Sequence, residues 1–432
     1  MSPSGASPEP TSSRGSRIET TARLHAAARR DRALLYATAF LRALTTSAVG
    51  VTLGVYLARS GLDVETIGAV VSAGLSGAVV AAVAATLVAD WIGRRRFLLL
   101  LTFAGCLGSL GFALAREPIW LAIAAFFGML NGMGRDRGAA LILEQAVLPA
   151  TAGASDRTRV IAGYTMLQDI GHAVGSLLAG LPAYLIGRST SSVVGDVPER
   201  WILFGAAGTG VVALVAYAAV GATIENGRAS TRLPKVSAES RRLLTRISAL
   251  FALDALGGGF LTSALLSYFF FTRFHADELA ISILFFGARV MNAVSHLGAA
   301  WLARRIGLVN TMVFTHIPSS VLLMTVAIAP NFPVAAVLFL LREGLVEMDV
   351  PTRQSYVLAV VRPEERTVAT GVTNLVRLAA WAVAPVVAGA LTVGDSYAVP
   401  LVVGAGMKIV YDVLLYRAFR GIKPPEERQS PA

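Results

Sequence analysis

Twelve apolar runs of roughly 20 residues or more, parted by short polar knots, fill most of the chain between residues 33 and 418. A run of that length crosses a bilayer as a helix. In lipid every backbone polar group must find its partner within the protein, so such a pattern dictates a helical bundle. The spans are expected at 33–58, 65–90, 97–115, 118–148, 159–187, 201–223, 247–272, 277–302, 308–329, 332–360, 365–393 and 396–418. A length of 432 residues would also suit two or three soluble domains. Charged residues argue against that: they make up 15% of the chain, against about 25% in soluble domains. The fold class is therefore all-α and integral to the membrane. The expected units are a disordered basic cytoplasmic tail (1–32), a six-helix bundle (33–224), a cytoplasmic linker (225–246), a second six-helix bundle (247–420) and a short tail (421–432). Residues 1–21 are rich in Ser, Pro and Gly and lack the apolar stretch of a signal peptide.

A net charge of +11 invites a nucleic-acid reading, but the positions of the basic residues exclude it. With the N-terminus inside, five Lys/Arg fall in outer loops, 25 in inner segments and eight within the spans. This is the positive-inside bias, and anionic inner-leaflet lipid accounts for the basic surface. Both termini are expected in the cytoplasm of a multi-pass inner (plasma) membrane protein. The one cysteine, Cys106, lies in an apolar run and reads as packing, and one thiol allows neither a disulfide framework nor a cysteine metal site.

The halves echo one another at an offset of about 209–214 residues. Leu87–Gly93 aligns with Trp301–Gly307, Asp156-Arg157-Thr158 with Glu365-Arg366-Thr367, Gly175–Gly180 with Ala384–Gly389, and Asp136 with Asp349. Two such six-helix repeats are a transporter plan.

Between the second and third spans stands Asp90-Trp-Ile-Gly93-Arg94-Arg95-Arg96. This resembles the signature loop of the major facilitator superfamily. The resemblance implies two six-helix bundles around a pathway lined by spans 1, 4, 7 and 10. It also implies a latch, formed by Asp90, Gly93, Arg94, Arg95 and Arg96, that holds neighbouring helices in the outward-open state. The second-half copy departs from it, with Arg304 where Asp90 stands. The segment Gly171-His-Ala-Val-Gly175-Ser-Leu-Leu-Ala-Gly180 resembles the glycine-rich helix 5 motif of the superfamily's drug–proton antiporters. Ser176 replaces the motif's proline, while Pro385 occupies the helix 11 counterpart. Such small residues also serve plain close packing.

Ionisable groups at membrane depth are costly and mark function. Arg42 and Asp254 stand 212 residues apart at matching places in the two halves, so a pair across the pathway is one expectation. Span 4 holds Arg135-Asp136-Arg137 among Gly132, Gly134 and Gly138. The resemblance implies a proton-coupling role for Arg135 or Arg137. Span 10 holds Arg342, Glu343, Glu347, Asp349 and Arg353, with Pro351 expected to bend or break it. Span 5 adds Gln168, Asp169 and His172, span 8 adds Arg289, Asn292 and His296, and span 11 adds Asn374 and Arg377. Asp169 and Asp254, as isolated acids in apolar surroundings, are the first candidates to load and release a proton. Arg42, Arg289 and Arg377 suit contact with an anion. The alternative for each is a buried Arg–carboxylate pair that only holds the halves together. Tyr268–Phe271 and Phe285-Phe286 read as lipid-facing or packing residues.

No Walker loop and no His-Glu-x-x-His occurs. No cofactor beyond a proton gradient is expected, and no enzyme constellation assembles. The expectation is a monomeric secondary transporter that exports a small amphipathic or cationic solute in exchange for protons. The alternatives are proton-coupled uptake or exchange of a small anion, and a non-transporting membrane sensor.

Overall fold

A computed structural model describes residues 12–152, 156–187, 197–221, 237–392, 394 and 397–420. In chain order the helices are α1 (Ser12–Arg59), α2 (Val64–Ile92), α3 (Arg94–Leu114), α4 (Pro118–Gly128), α5 (Ala139–Val147), α6 (Arg157–Leu178), α7 (Leu181–Gly187) and α8 (Arg200–Ala219). The second half holds α9 (Ala238–Gly259), α10 (Ser263–Phe274), α11 (Glu278–Ile306), α12 (Leu308–Ala327), α13 (Phe332–Val346), α14 (Asp349–Val360), α15 (Arg366–Ala390) and α16 (Ala398–Phe419). The first helix starts at Ser12, inside the stretch expected to be a disordered tail. Most of the expected linker and the whole 421–432 tail lie outside the described residues.

Among the described residues, ten helical stretches are long and apolar enough to cross a membrane. The expected spans 4 and 10 are not single helices: α4 and α5 are parted by residues 129–138, and α13 and α14 meet at Glu347 and Met348. The break in span 10 falls before Pro351, which sits in the first turn of α14, where its missing N–H would have no helical partner anyway. Span 7 is also interrupted, between α9 and α10 at residues 260–262.

The internal repeat is visible in matching caps. Asp63 accepts the N–H of Thr66 at 2.8 Å and Asp277 accepts that of Ala280 at 2.7 Å, each opening a 29-residue helix. The Thr66 bond holds the Asp63 carboxyl below the usual range. Those helices end on Gly93 (φ 101°) and Gly307 (φ 85°), backbone angles open to glycine and strained for other residues.

The end of the bundle bearing Gly93 and Gly307 is here the proximal end, and the opposite end the distal one. The apolar core is not uniform along this axis. Distally it is one cluster shared by both halves, joining Tyr56, Ile67 and Phe112 to Phe269, Phe339 and Leu401. The aromatic run Tyr268–Phe270 is buried there. Proximally it divides into two clusters, one within each half: Leu35, Leu98 and Tyr164 belong to one, Ile247, Tyr356 and Phe419 to the other. Small residues bring the distal backbones together. A methyl added to Gly54 would fall 1.8 Å from the carbonyl oxygen of Ala264, and one on Gly68 would fall 2.3 Å from that of Pro385. The Val386 N–H donates to Ser72 Oγ at 2.9 Å. The halves are therefore joined at the distal end and, through Ala82, Ala255, Leu378 and Trp381, at mid-depth, while the proximal clusters stay separate.

Candidate substrate site

Between α4 and α5 the chain leaves the helix because four glycines (128, 132, 134 and 138) weaken it and Asn131 offers its own bonds. The Asn131 side chain accepts the N–H of Met133 at 2.9 Å and donates to the carbonyl of Arg135 at 2.6 Å. Carbonyls freed this way must be satisfied within the protein, and the opposite half supplies the donors. Gly132 O accepts from the Ala264 N–H at 3.0 Å, Met133 O from the Ser263 hydroxyl at 2.9 Å, and Gly134 O from Arg289 at 3.0 Å. The unwound segment of the first half thus rests on the interrupted span 7 and on α11 of the second. Reading residues 118–148 as one helix missed this joint.

The same segment starts a charge network inside the first half. Arg42 donates to Asp136 and to Glu144, both at 2.6 Å, and to the hydroxyls of Tyr217 and Tyr164 at 2.9 and 3.2 Å. Thr38, Tyr164 and Tyr217 all donate to Glu144, which is fully buried. The Asp136 N–H donates to Nε2 of His172 at 2.9 Å, so that nitrogen carries no proton. The Arg42–Asp254 pair suggested by the repeat does not form, because each residue is bonded within its own half.

Asp254 is not an isolated acid either. It meets Lys408 at 2.7 Å, Arg353 at 3.1 Å and Arg377 at 3.8 Å. Arg353 also pairs with Asp349. Behind them His316 lies 3.0 Å from Asp412 through Nδ1 and 3.3 Å from the Lys408 ammonium through Nε2.

Where the halves meet lies a cavity of about 120 Å³ lined by Arg135, Arg137, Arg289, Arg342, Arg353, Arg377 and Lys408, and by the carboxylates Asp254, Glu343, Glu347 and Asp349. A second, of about 150 Å³, adjoins Asp169, His172 and His296. Arg135, Arg137 and Arg289 line both. Arg135 crosses the boundary to Glu347 (2.8 Å) and Asn292, and Asn292 donates to Glu343 at 2.7 Å. Arg342 is also paired with Glu343. Arg137 and Arg377 lie over the Trp381 ring at 4.6 and 4.8 Å from its centre. Among the described residues Arg137 and Arg289 have no carboxylate partner, and Asp169, exposed to the gap, has no ion pair or hydrogen bond.

A sequence profile of the Major Facilitator Superfamily matches residues 35–385 and again 247–432. The chain belongs to the Major Facilitator Superfamily. Membership makes it a multi-pass membrane transporter rather than an enzyme. The chain is similar to an uncharacterized membrane protein of Saccharomyces cerevisiae, at 25% identity over 93% of this chain and 97% of the yeast protein. Among solved structures it resembles the nucleoside transporter NupG, with a TM-score of 0.73 at 16% identity over 90% of this chain and 99% of that one. It resembles a bacterial homolog of the human lysosomal transporter Spinster in an inward-facing, occupied conformation, with a TM-score of 0.71 at 14% identity over 93% and 98%. It also resembles the partially occluded, inward-open xylose transporter XylE of E. coli, with a TM-score of 0.67 at 12% identity over 93% and 99%. At such identities the likeness is one of fold.

The superfamily's signature loop ties helices of one half. Asp90 pairs with Arg94 at 2.7 Å, and Arg95 donates to the carbonyls of Tyr217 (3.2 Å) and Ala218 at the end of α8. Arg96 is exposed. The glycines of the helix 5 motif serve close packing here: methyls added to Gly171, Gly175 and Gly180 would fall within 2.9 Å of backbone oxygens of α1 or α11. Ser176 is 2.7 Å from the Ser47 hydroxyl. Reading the sequence brought out Arg42, Arg135, Asp136, Arg137, Asp169, Arg289, Glu343, Glu347, Asp349 and Arg377, and all lie in these networks or cavities. It missed Glu144, Lys408, Asp412 and the platform Trp381. Lys408 and Asp412, four apart on one helix face in an apolar span, were the available signal.

Proposed function

We propose that this protein is a secondary active transporter of a small anion, working by alternating access, with protons as the coupling ion. The lining of the central cavity carries the reading: it presents seven cationic side chains against four carboxylates. Arg137 and Arg289, without carboxylate partners, face both chambers, and guanidinium groups bind planar anions in a bidentate fork. A cationic solute would meet repulsion there, so the lining favours the anion over the exported cation that the glycine motif suggests. The volumes suit a small molecule, since a water molecule's share of liquid is about 30 Å³. The parted proximal ends represent a state open on that side. The Lys/Arg bias supports a cytoplasmic side for that end, and two of the similar folds are inward-facing.

The test is binding to the purified full-length protein, followed by thermal shift, of lactate, oxalate, sulfate, tetraethylammonium and a lipophilic amine. Anions should stabilise the protein and lose that effect in Arg289→Gln. Stabilisation by the cations alone would overturn the anion reading.

A further inference from the structure

Resting on the anion reading, we infer that the anion crosses in the same direction as a proton, and that Asp169 carries the proton. The membrane interior holds eight cations. Arg135, Arg137 and Arg289 line both chambers, Arg42 sits in the first half, and Arg342, Arg353, Arg377 and Lys408 sit in the second. The networks and chambers also hold eight carboxylates, so the protein's own charges there balance. Two of these, Glu144 and Asp412, are fully buried behind Arg42 and His316, away from the cavity. That arrangement gives the cavity wall its positive excess while the whole stays neutral.

Neutrality has a mechanical consequence. Closing the proximal gap over a neutral interior leaves no unbalanced charge in a poorly hydrated space. Closing it over a bound monoanion leaves one negative charge, which costs several kcal/mol at membrane depth. A proton added to one carboxylate removes it. Seven of the eight carboxylates already pair with a cation or with His316. Asp169 is the eighth, on the exposed face of α6 and at the wall of the chamber that Arg135, Arg137 and Arg289 also line. The titratable groups around it are Arg135, Asp136 and Arg137 of the unwound segment, His172 of its own helix, and Arg289 and His296 of α11. Glu347 stands beside His296 at 4.0 Å. His172 cannot take the proton on Nε2, which already accepts the Asp136 N–H. His296, 38% exposed, is the one rival acceptor. The step balances simply: a hydrated proton joins an Asp169 oxygen with the anion bound, and both leave to water on the other side.

The test measures proton uptake by the purified protein in weakly buffered solution with an indicator dye. The probes are lactate, oxalate and sulfate, which carry no titratable proton near neutral pH. Wild type should take up about one proton per bound lactate, the monoanion among them, so its affinity for lactate falls about tenfold per pH unit once the acceptor ionises. Asp169→Asn should bind anions with no uptake and a flat pH profile, while His296→Gln keeps both. Binding without uptake in the wild type, or uptake lost in His296→Gln and kept in Asp169→Asn, overturns this inference and leaves the anion reading standing. No binding by any of the three anions overturns both.

Discussion

Two guanidinium groups on one indole are held in place by more than their own helices. Trp381 keeps Arg137 of the first half and Arg377 of the second at the edge of the cavity despite their like charge. A cation–π contact contributes about 0.5–2 kcal/mol depending on desolvation. Trp381→Ala should therefore weaken binding of the anion probes by roughly tenfold, since 1.4 kcal/mol is tenfold, while Trp381→Phe should recover part of it; binding calorimetry on the three proteins reads this. Glu144 poses a different problem. It takes bonds from Arg42, Thr38, Tyr164 and Tyr217 with no exposure to the cavity. Removing one partner of a buried ion pair costs about 3–5 kcal/mol. Glu144→Gln should lower the thermal midpoint of the purified protein well below that of Asp169→Asn, whose carboxylate supports no bond. Equal midpoints would contradict the division between structural and carrier carboxylates.

At the scale of elements, the sequence made the helices legible and, apart from the break in span 10 that Pro351 announced, concealed their interruptions. Apolar runs located most spans, because a bilayer imposes length and apolarity on every one. The segment 129–138 was read as helix because its flanks are apolar, and its departure depends on donors from residues 263, 264 and 289, more than 120 positions away. The same limit applies to charges. Periodicity tells which face of a helix a residue occupies, and it does not tell that Arg42 reaches Asp136 in preference to Asp254, or that Lys408 reaches Asp254 across 154 positions. The distal joint gives a prediction at this scale. The Gly54 backbone lies against Ala264, so Gly54→Leu should prop the distal ends apart. A cysteine placed at Ser72, buried on the wild-type background, should then react faster with a membrane-impermeant maleimide after Cys106→Ser. An unchanged rate would show that the distal contact does not control that face.

For the whole molecule, the distal closure carries a titratable element of its own. Arg59 at the end of α1 meets Glu199 before α8 at 3.1 Å and Glu278 at the start of α11, so one cation serves two carboxylates from opposite halves. Burial, with Glu278 adding to it against the pull of Arg59, raises Glu199 to about 7. In an opened, hydrated state Glu199 should titrate near the ordinary value of about 4.3. The closed state then holds the proton more tightly. Its advantage declines as pH rises from that ordinary value to about 7, and it is constant above. Acidifying the distal side should lower maleimide labelling at the Ser72→Cys position, and Glu199→Gln should flatten that response.

The three carbonyls of the unwound segment have a further bearing, on inheritance. Peptide oxygens are common to all amino acids, so no exchange of side chain at residues 132–134 can delete an acceptor at this joint. Of the three donors opposite, the Ala264 N–H is likewise immune to any replacement except proline. Ser263 and Arg289 remain for mutation to act on directly, together with Gly132 and Gly134, where an added methyl would meet Val71 and Ser263. A lineage bearing this joint can thus rewrite its cavity wall for new cargo while the bearing between its two halves passes on almost untouched.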